Sequence, residues 1–162
     1  MVIMGVDPGL NGGVAFMETS GKIIHFQKMP TKKVDDKKII DIQQIAGMIA
    51  KLEPEHVFIE KVHSMPKQGV ASTFTFGVGY GMVLGLCFAL EALLRTELVT
   101  PQRWQKFMYS SMPDPKSLEP KARARLRFGE LWPALVEENV THDGIIDAML
   151  IAEYGRRTLG LN

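Results

Sequence analysis

Cysteine is nearly missing from this sequence. The 162 residues hold one, Cys87, within an apolar run, which excludes an intramolecular disulfide and leaves core filling as its expected role. The four histidines, His25, His56, His63 and His142, are scattered, and no Cys/His spacing suggests a zinc site. Charge of one sign is also lacking: Lys+Arg 19 against Asp+Glu 18 leaves a net +1. A nucleic-acid binder is usually more basic, so any basic face must be local. There is no GxxxxGK[ST] phosphate loop, no internal repeat, no low-complexity tract and no interdomain linker. The N-terminus has no basic leader, and Asp7 interrupts its short apolar run, so it does not read as a signal peptide and a cytoplasmic protein is expected. The longest apolar stretch, Val78–Leu94, still contains Glu91. Gly77, Gly81 and Gly85 give it a small-xxx-small series, which raises a membrane dimerisation helix. Its marginal length and the placing of Glu91 in lipid argue for a buried soluble helix with a close-packing face instead.

What is present suits one globular domain over residues 1–162, with 46% hydrophobic residues to build a core. Met1–Val6 is short, apolar and followed by Asp7-Pro8-Gly9, which reads as strand then turn. Val14–Met17 and Ile23–Gln27 read as two more strands, so an antiparallel meander is expected. Thr31–Asp36 reads as a charged loop. Apolar residues from Ile39 to Leu52 recur at helical spacing until Pro54. His56–Glu60 is a short buried strand after a helix, hence expected parallel to the first. Glu97–Val99 reads as a fifth strand, Gln102–Pro120 as irregular, Lys121–Leu131 as a basic helix and Thr141–Arg157 as the last helix, with Thr141 or His142 near its cap. The predicted order β-β-β-α-β-α-β-α-α makes an α/β mixed five-stranded sheet with helices on both faces.

Four carboxylates stand out in that order. Asp7 and Glu60 end strands expected to lie side by side, at the edge where open α/β sheets hold their sites. Asp143 and Asp147 are four apart at the start of the last helix, about 40° apart around it, and so share a face. Each has a simpler explanation alone: Asp7 as a turn former, Asp143 as a first-turn acid favoured by the helix dipole. Glu60 after Val57-Phe58-Ile59 and Asp147 among Ile145, Ile146, Ala148 and Met149 are harder to dismiss. If the four converge, mutual repulsion raises their proton affinity unless divalent cations offset it. Mg²⁺ takes carboxylate oxygens and pairs with phosphates, and two such ions support in-line phosphodiester displacement.

Met4-Gly5-Val6-Asp7-Pro8-Gly9-Leu10 resembles the opening strand of RuvC-type Holliday junction resolvases, members of the RNase H-like superfamily. Val57-Phe58-Ile59-Glu60 resembles their second acidic strand, and His142 to Tyr154 their final acidic helix, especially in phage-encoded relatives. Val99 to Lys106 resembles the segment after the fifth strand. The resemblance runs through nearly the whole chain in order. It implies a homodimeric, Mg²⁺-dependent nuclease (Mn²⁺ substituting) with two ions per site, which cuts opposing strands of a four-way DNA junction. Asp7, Glu60, Asp143 and Asp147 are then the catalytic metal ligands. The last two acids are three apart in some members, and the first of them is a histidine in others, which makes His142 a competing or supporting ligand. Where bacterial members carry a base-probing aromatic, this chain has His63, with Met65 nearby.

Junction binding needs phosphate contacts over a broad surface. Lys61, His63 and Lys67 follow Glu60; Arg103 and Lys106 follow the fifth strand; Lys116, Lys121, Arg123, Arg125 and Arg127 precede the last helix. Each alone reads as a solvated side chain, and together they form a local basic face. Lys116 or Lys121 could approach the scissile phosphate. Trp104, Phe107 and Tyr109 read as core or lid packing. The Gly77–Leu94 helix is a candidate dimer face, matching a two-fold substrate. The competing readings are an actin-like kinase half, for which the chain is too short; another RNase H-like nuclease acting on flaps, other branched DNA or RNA–DNA hybrids; and an inactive junction-binding protein.

Overall fold

The computed structural model describes residues 1–63, 69–90 and 94–160. Its main sheet is built on β1 (Val2–Asp7), whose residues are buried on both faces, as a central strand requires. β2 (Gly13–Glu18) and β3 (Ile23–Lys28) continue from it as an antiparallel meander. On the other side β6 (His56–Glu60) and β7 (Arg95–Val99) add in parallel, giving the order β3-β2-β1-β6-β7. The expected mixed five-stranded sheet is thus present. Between β3 and the first helix lies a separate two-stranded hairpin, β4 (Thr31–Val34) and β5 (Lys37–Ile40). That corrects the expected loop: Asp35 and Asp36 both take positive φ, 47° and 60°, the geometry of a tight hairpin turn. Ile39 and Ile40 therefore belong to a strand. Helix α1 (Ile42–Leu52) starts after them, where the Asp41 side chain caps the Gln43 and Gln44 N–H groups.

Helices cover both faces. On one, α1 and α2 (Val70–Ala89) pack over Met4, Val6, Val14, Phe16, Val57 and Ile59. On the other, α3 (Pro101–Met108), α4 (Pro120–Leu131) and α6 (Asp143–Thr158) pack over Ile3, Ala15, Phe58 and Val99. A short α5 (Pro133–Glu137) links the last two. The stretch expected to be irregular thus holds a helix, α3, started by Thr100, whose hydroxyl accepts from the Arg103 N–H, and by Pro101 in the first turn.

Two close approaches position α6. A Cβ at Gly5 would fall 2.1 Å from the Ala148 carbonyl oxygen, and one at Gly144 would fall 2.5 Å from the Asn11 carbonyl oxygen. The helix therefore lies directly on the backbone of β1 and the loop after it, which only residues without a Cβ permit.

α2 differs from the buried helix expected. Of its residues from Val70 to Ala89 only Gly79, Val83 and Cys87 are buried, a single i, i+4, i+8 line resting on the core. A Cβ at Gly77, Gly81 or Gly85 would meet nothing within 4 Å, so the glycine series is not used in packing within the chain. Phe74, Val78 and Phe88 are exposed. By length and composition α2 could also cross a membrane; its mean hydropathy is 1.5. Glu91, on which the argument against that partly rested, lies outside the described residues.

Candidate active site

Side chains alternate along a strand, so Ile3, Gly5 and Asp7 point to one face of β1, and Phe58 and Glu60 to one face of β6. Ile3 and Phe58 belong to the core beneath α6, which puts Asp7 and Glu60 on the α6 side of the sheet. The parallel register pairs Val6 with Ile59, so Asp7 and Glu60 end neighbouring strands at the same level. α6 brings Asp147 to them. Between Gly144 and Gly155 every residue is buried except Asp147.

Electrostatics separates the acids on α6 and the strand ends into two kinds. Glu153, 4% exposed, is held by Arg156 Nε at 2.7 Å and Arg157 Nε at 2.6 Å, and these pairs bring its carboxyl below the usual range despite burial. Asp143 is bridged by Lys121 at 2.9 Å and Arg125 at 2.8 Å, and the Lys121 hydrogen bond holds its carboxyl low. The other three have no ion-pair partner among the described residues. Burial, followed by repulsion from Glu60, pushes Asp7 up to about 7. Burial, then repulsion from Asp7, Glu60 and Asp143, pushes Asp147 to about 7 as well. Glu60 is raised by burial, against a hydrogen bond from Trp104. Three mutually repelling carboxylates thus share one basin, with Asp143 at its rim.

A cleft of about 710 Å³ opens onto this basin, and Asp7, Asp143 and Asp147 line it with Asn11, Lys28, Lys121 and His142. Glu60 is not part of its wall. It sits behind, where the Trp104 indole Nε1–H donates to its Oε1 at 2.8 Å. Trp104 is 1% exposed, so the packing role expected of it holds, but that donor adds a second: it fixes the orientation of Glu60. The signal available in the sequence was that a buried Trp needs an acceptor. His142 occupies the N-cap position of α6 without capping it, and its buried Nδ1 has no hydrogen-bond partner among the described residues. Hard carboxylate oxygens with uncompensated charge suit a divalent cation. Among the described residues no three His, Cys, Asp or Glu side chains are close enough together to enclose one as they stand.

The basic residues divide differently from their sequence grouping. Lys121 reaches the acidic cleft. Arg125 is spent on Asp143, through Nε at 3.1 Å and Nη2 at 2.8 Å. Arg123 donates to the Leu118 carbonyl and lies over the Tyr109 ring, and Arg103 pairs with Glu97 and lies over Tyr154. Arg127 pairs with Glu130. Lys106 and Lys116 border a separate cleft of about 420 Å³ with Gln102 and Gln105. Lys61 and His63 are exposed just after Glu60; Lys67 and Met65 lie outside the described residues.

No family model matches the chain, and no curated protein does. Solved structures match over almost its full length. Thermus thermophilus RuvC aligns over 98% of this chain and 96% of its own, at TM-score 0.65 and 19% identity. The fold is that of the RuvC-type resolvases. The same protein in complex with a Holliday junction substrate matches at TM-score 0.61 and 18% identity. The yeast mitochondrial Holliday junction resolvase Ydc2 matches at 0.64 and 14%, over 98% of this chain and 79% of its own. In this RuvC-like fold, the acidic basin lies where the sheet's parallel strands end beneath α6.

Proposed function

We propose that this chain is a metal-dependent endonuclease that resolves four-way DNA junctions by paired phosphodiester hydrolysis, serving DNA recombination and repair within the cell. The observation that carries the reading is the basin of Asp7, Glu60 and Asp147, left without ion-pair partners among the described residues while Asp143 and Glu153 have them. Keeping such charges buried costs stability, and a divalent cation offsets the cost. Asp7, Glu60 and Asp147 would hold Mg²⁺ or Mn²⁺, drawn closer together than they stand in the free protein, with Asp143 joining from the rim and His142 able to support it. Two such ions bound there would supply an activated water and a stabilised leaving oxygen. Trp104 keeps Glu60 aimed into the basin. Lys121, released from Asp143, is placed to meet a phosphate entering the cleft.

Likeness to RuvC and to the fowlpox virus resolvase, both seen with Holliday junction DNA, supports branched DNA as the substrate. Residues 1–162 act as one nuclease domain. Lys61, His63, Lys67, Arg103, Lys106, Lys116, Lys121, Arg123 and Arg125 provide the DNA-facing cations. Of these, Arg103, Arg123 and Arg125 must first exchange the partners they hold in the free protein. The open glycine and phenylalanine face of α2 supports a homodimer, whose two-fold axis would present two basins to a two-fold junction.

The test is a substrate panel in Mg²⁺: a labelled four-way junction, a flap, a linear duplex and an RNA–DNA hybrid. Paired nicks near the junction centre are expected. Preference for the flap or hybrid would keep the metal site and replace the substrate. Junction binding without cleavage in any divalent metal would reduce the protein to a binding module.

A further inference from the structure

The β4–β5 hairpin has a cost that the fold does not explain. Its antiparallel register sets Lys33 directly opposite Lys38. Like charges facing each other across a strand pair are destabilising. Residues 33–38 are all exposed, and among the described residues none of Lys33, Lys37 and Lys38 has a carboxylate within ion-pair distance. Lys32 is different: it is tied to Asp41 at 3.3 Å and to Gln43 at 3.2 Å, which roots the hairpin to α1. Asp35 and Asp36 form the turn, a place where φ is positive and Asp is tolerated. The result is a rooted arm bearing three free ammonium groups.

Its position connects it to the acidic basin. A cleft of about 580 Å³ runs from Asp7 past Leu10 to Ser72 and Thr75 at the start of α2. A smaller one, of about 160 Å³, runs on from Leu10 and Thr75 to Lys37 and Lys38. The two share Leu10 and Thr75 in their walls, so adjoining clefts lie between Asp7 and the hairpin. They leave the basin on the α2 side, away from the Lys121 side of the acidic cleft.

We infer that the β4–β5 hairpin is a phosphate-binding arm that grips duplex DNA outside the catalytic basin through Lys33, Lys37 and Lys38. A phosphate between Lys33 and Lys38 turns their repulsion into shared attraction. This deepens the nuclease reading and rests on it for the identity of the DNA, but its binding term is separable from cleavage.

The test uses the full chain in EDTA, so that nothing is cut, with a labelled linear duplex and a labelled four-way junction as probes over a salt series. Each phosphate contact contributes roughly 0.9 to the slope of log affinity against log salt. The triple variant Lys33→Ala, Lys37→Ala, Lys38→Ala is expected to flatten that slope by about 2–3 on both probes. Lys38→Glu places an opposite charge across from Lys33, so it is expected to melt no lower than the wild type while binding DNA more weakly. An unchanged slope in the triple variant overturns the inference, and an unchanged slope with loss of a dimer assigns the hairpin to a protein contact instead. Junction cleavage in Mg²⁺ is read separately. A flattened slope in a protein that cuts nothing supports the arm and overturns the nuclease; intact cleavage with an unchanged slope does the reverse. Wild type that binds neither probe overturns both.

Discussion

Asp147→Asn should make the metal-free protein more stable, although it removes a charged group from the candidate catalytic centre. The folded protein raises this carboxyl from 3.8 to about 7. A carboxyl raised in the folded state contributes fully below its unfolded value and loses that contribution as pH rises through the folded value. Metal-free wild type should therefore lose stability between about pH 4 and pH 7, where the unfolded chain has already released the proton. At about 1.4 kcal/mol per pH unit the displacement amounts to about 4 kcal/mol. Part of it is repulsion from Asp7, which also raises Asp7, so a single substitution recovers about 2–4 kcal/mol at pH 8. For a chain of this size that is an increase of about 5–12 °C in melting temperature. Thermal melts in EDTA from pH 5 to 8.5 measure it. The gap between variant and wild type should widen with pH and narrow when Mg²⁺ is added, because the ion stabilises wild type by binding the folded state. A variant that melts below wild type at pH 8 in EDTA, or a gap independent of pH, would refute the claim that buried carboxylate charge, added to by mutual repulsion, marks this basin.

Other consequences follow from single contacts. Trp104→Phe keeps the buried ring but removes the donor to Glu60; folding should cost about 1–2 kcal/mol, and the Mg²⁺ concentration for half-maximal cleavage should rise, as read by titration of junction cutting. Gly5→Ala drives a methyl into the Ala148 carbonyl and should destabilise by more than about 3 kcal/mol, measured by denaturant unfolding. Gly81→Leu enters open space within one chain, so the monomer should hold or gain up to about 1 kcal/mol from helix propensity. The same change should weaken a dimer built on α2, as sedimentation would show.

The sheet could be read from the sequence because its strands are short apolar runs between strong turn signals, with Asp7-Pro8-Gly9 and Thr100-Pro101 marking where β1 and β7 stop. The hairpin escaped because β4 and β5 carry four lysines and their turn is Asp-Asp rather than a glycine pair, so hydrophobic alternation is absent. The exposure of α2 was missed because its composition is apolar on every side, and such a helix reads from sequence as a buried one. The pairing of Asp7 with Glu60 followed from two strand ends and a parallel crossover. The spacing of Asp143 and Asp147 showed a shared face, and both do line one cleft. It did not show that α4 pairs Lys121 and Arg125 with Asp143, because that depends on how two helices meet. Trp104 reaches Glu60 across 44 positions of sequence, a contact that no local pattern encodes.

The central claim is that Asp7, Glu60 and Asp147 form a metal-dependent site for cutting branched DNA. The most direct measurement compares wild type with Asp7→Asn on a labelled four-way junction, with and without Mg²⁺, reading binding by gel shift and cleavage by denaturing gel in parallel. Paired nicks from the wild type in Mg²⁺ alone, and a variant that binds the junction but leaves it whole, are the expected result. Cleavage that persists in Asp7→Asn, or that proceeds equally well in EDTA, would contradict the account.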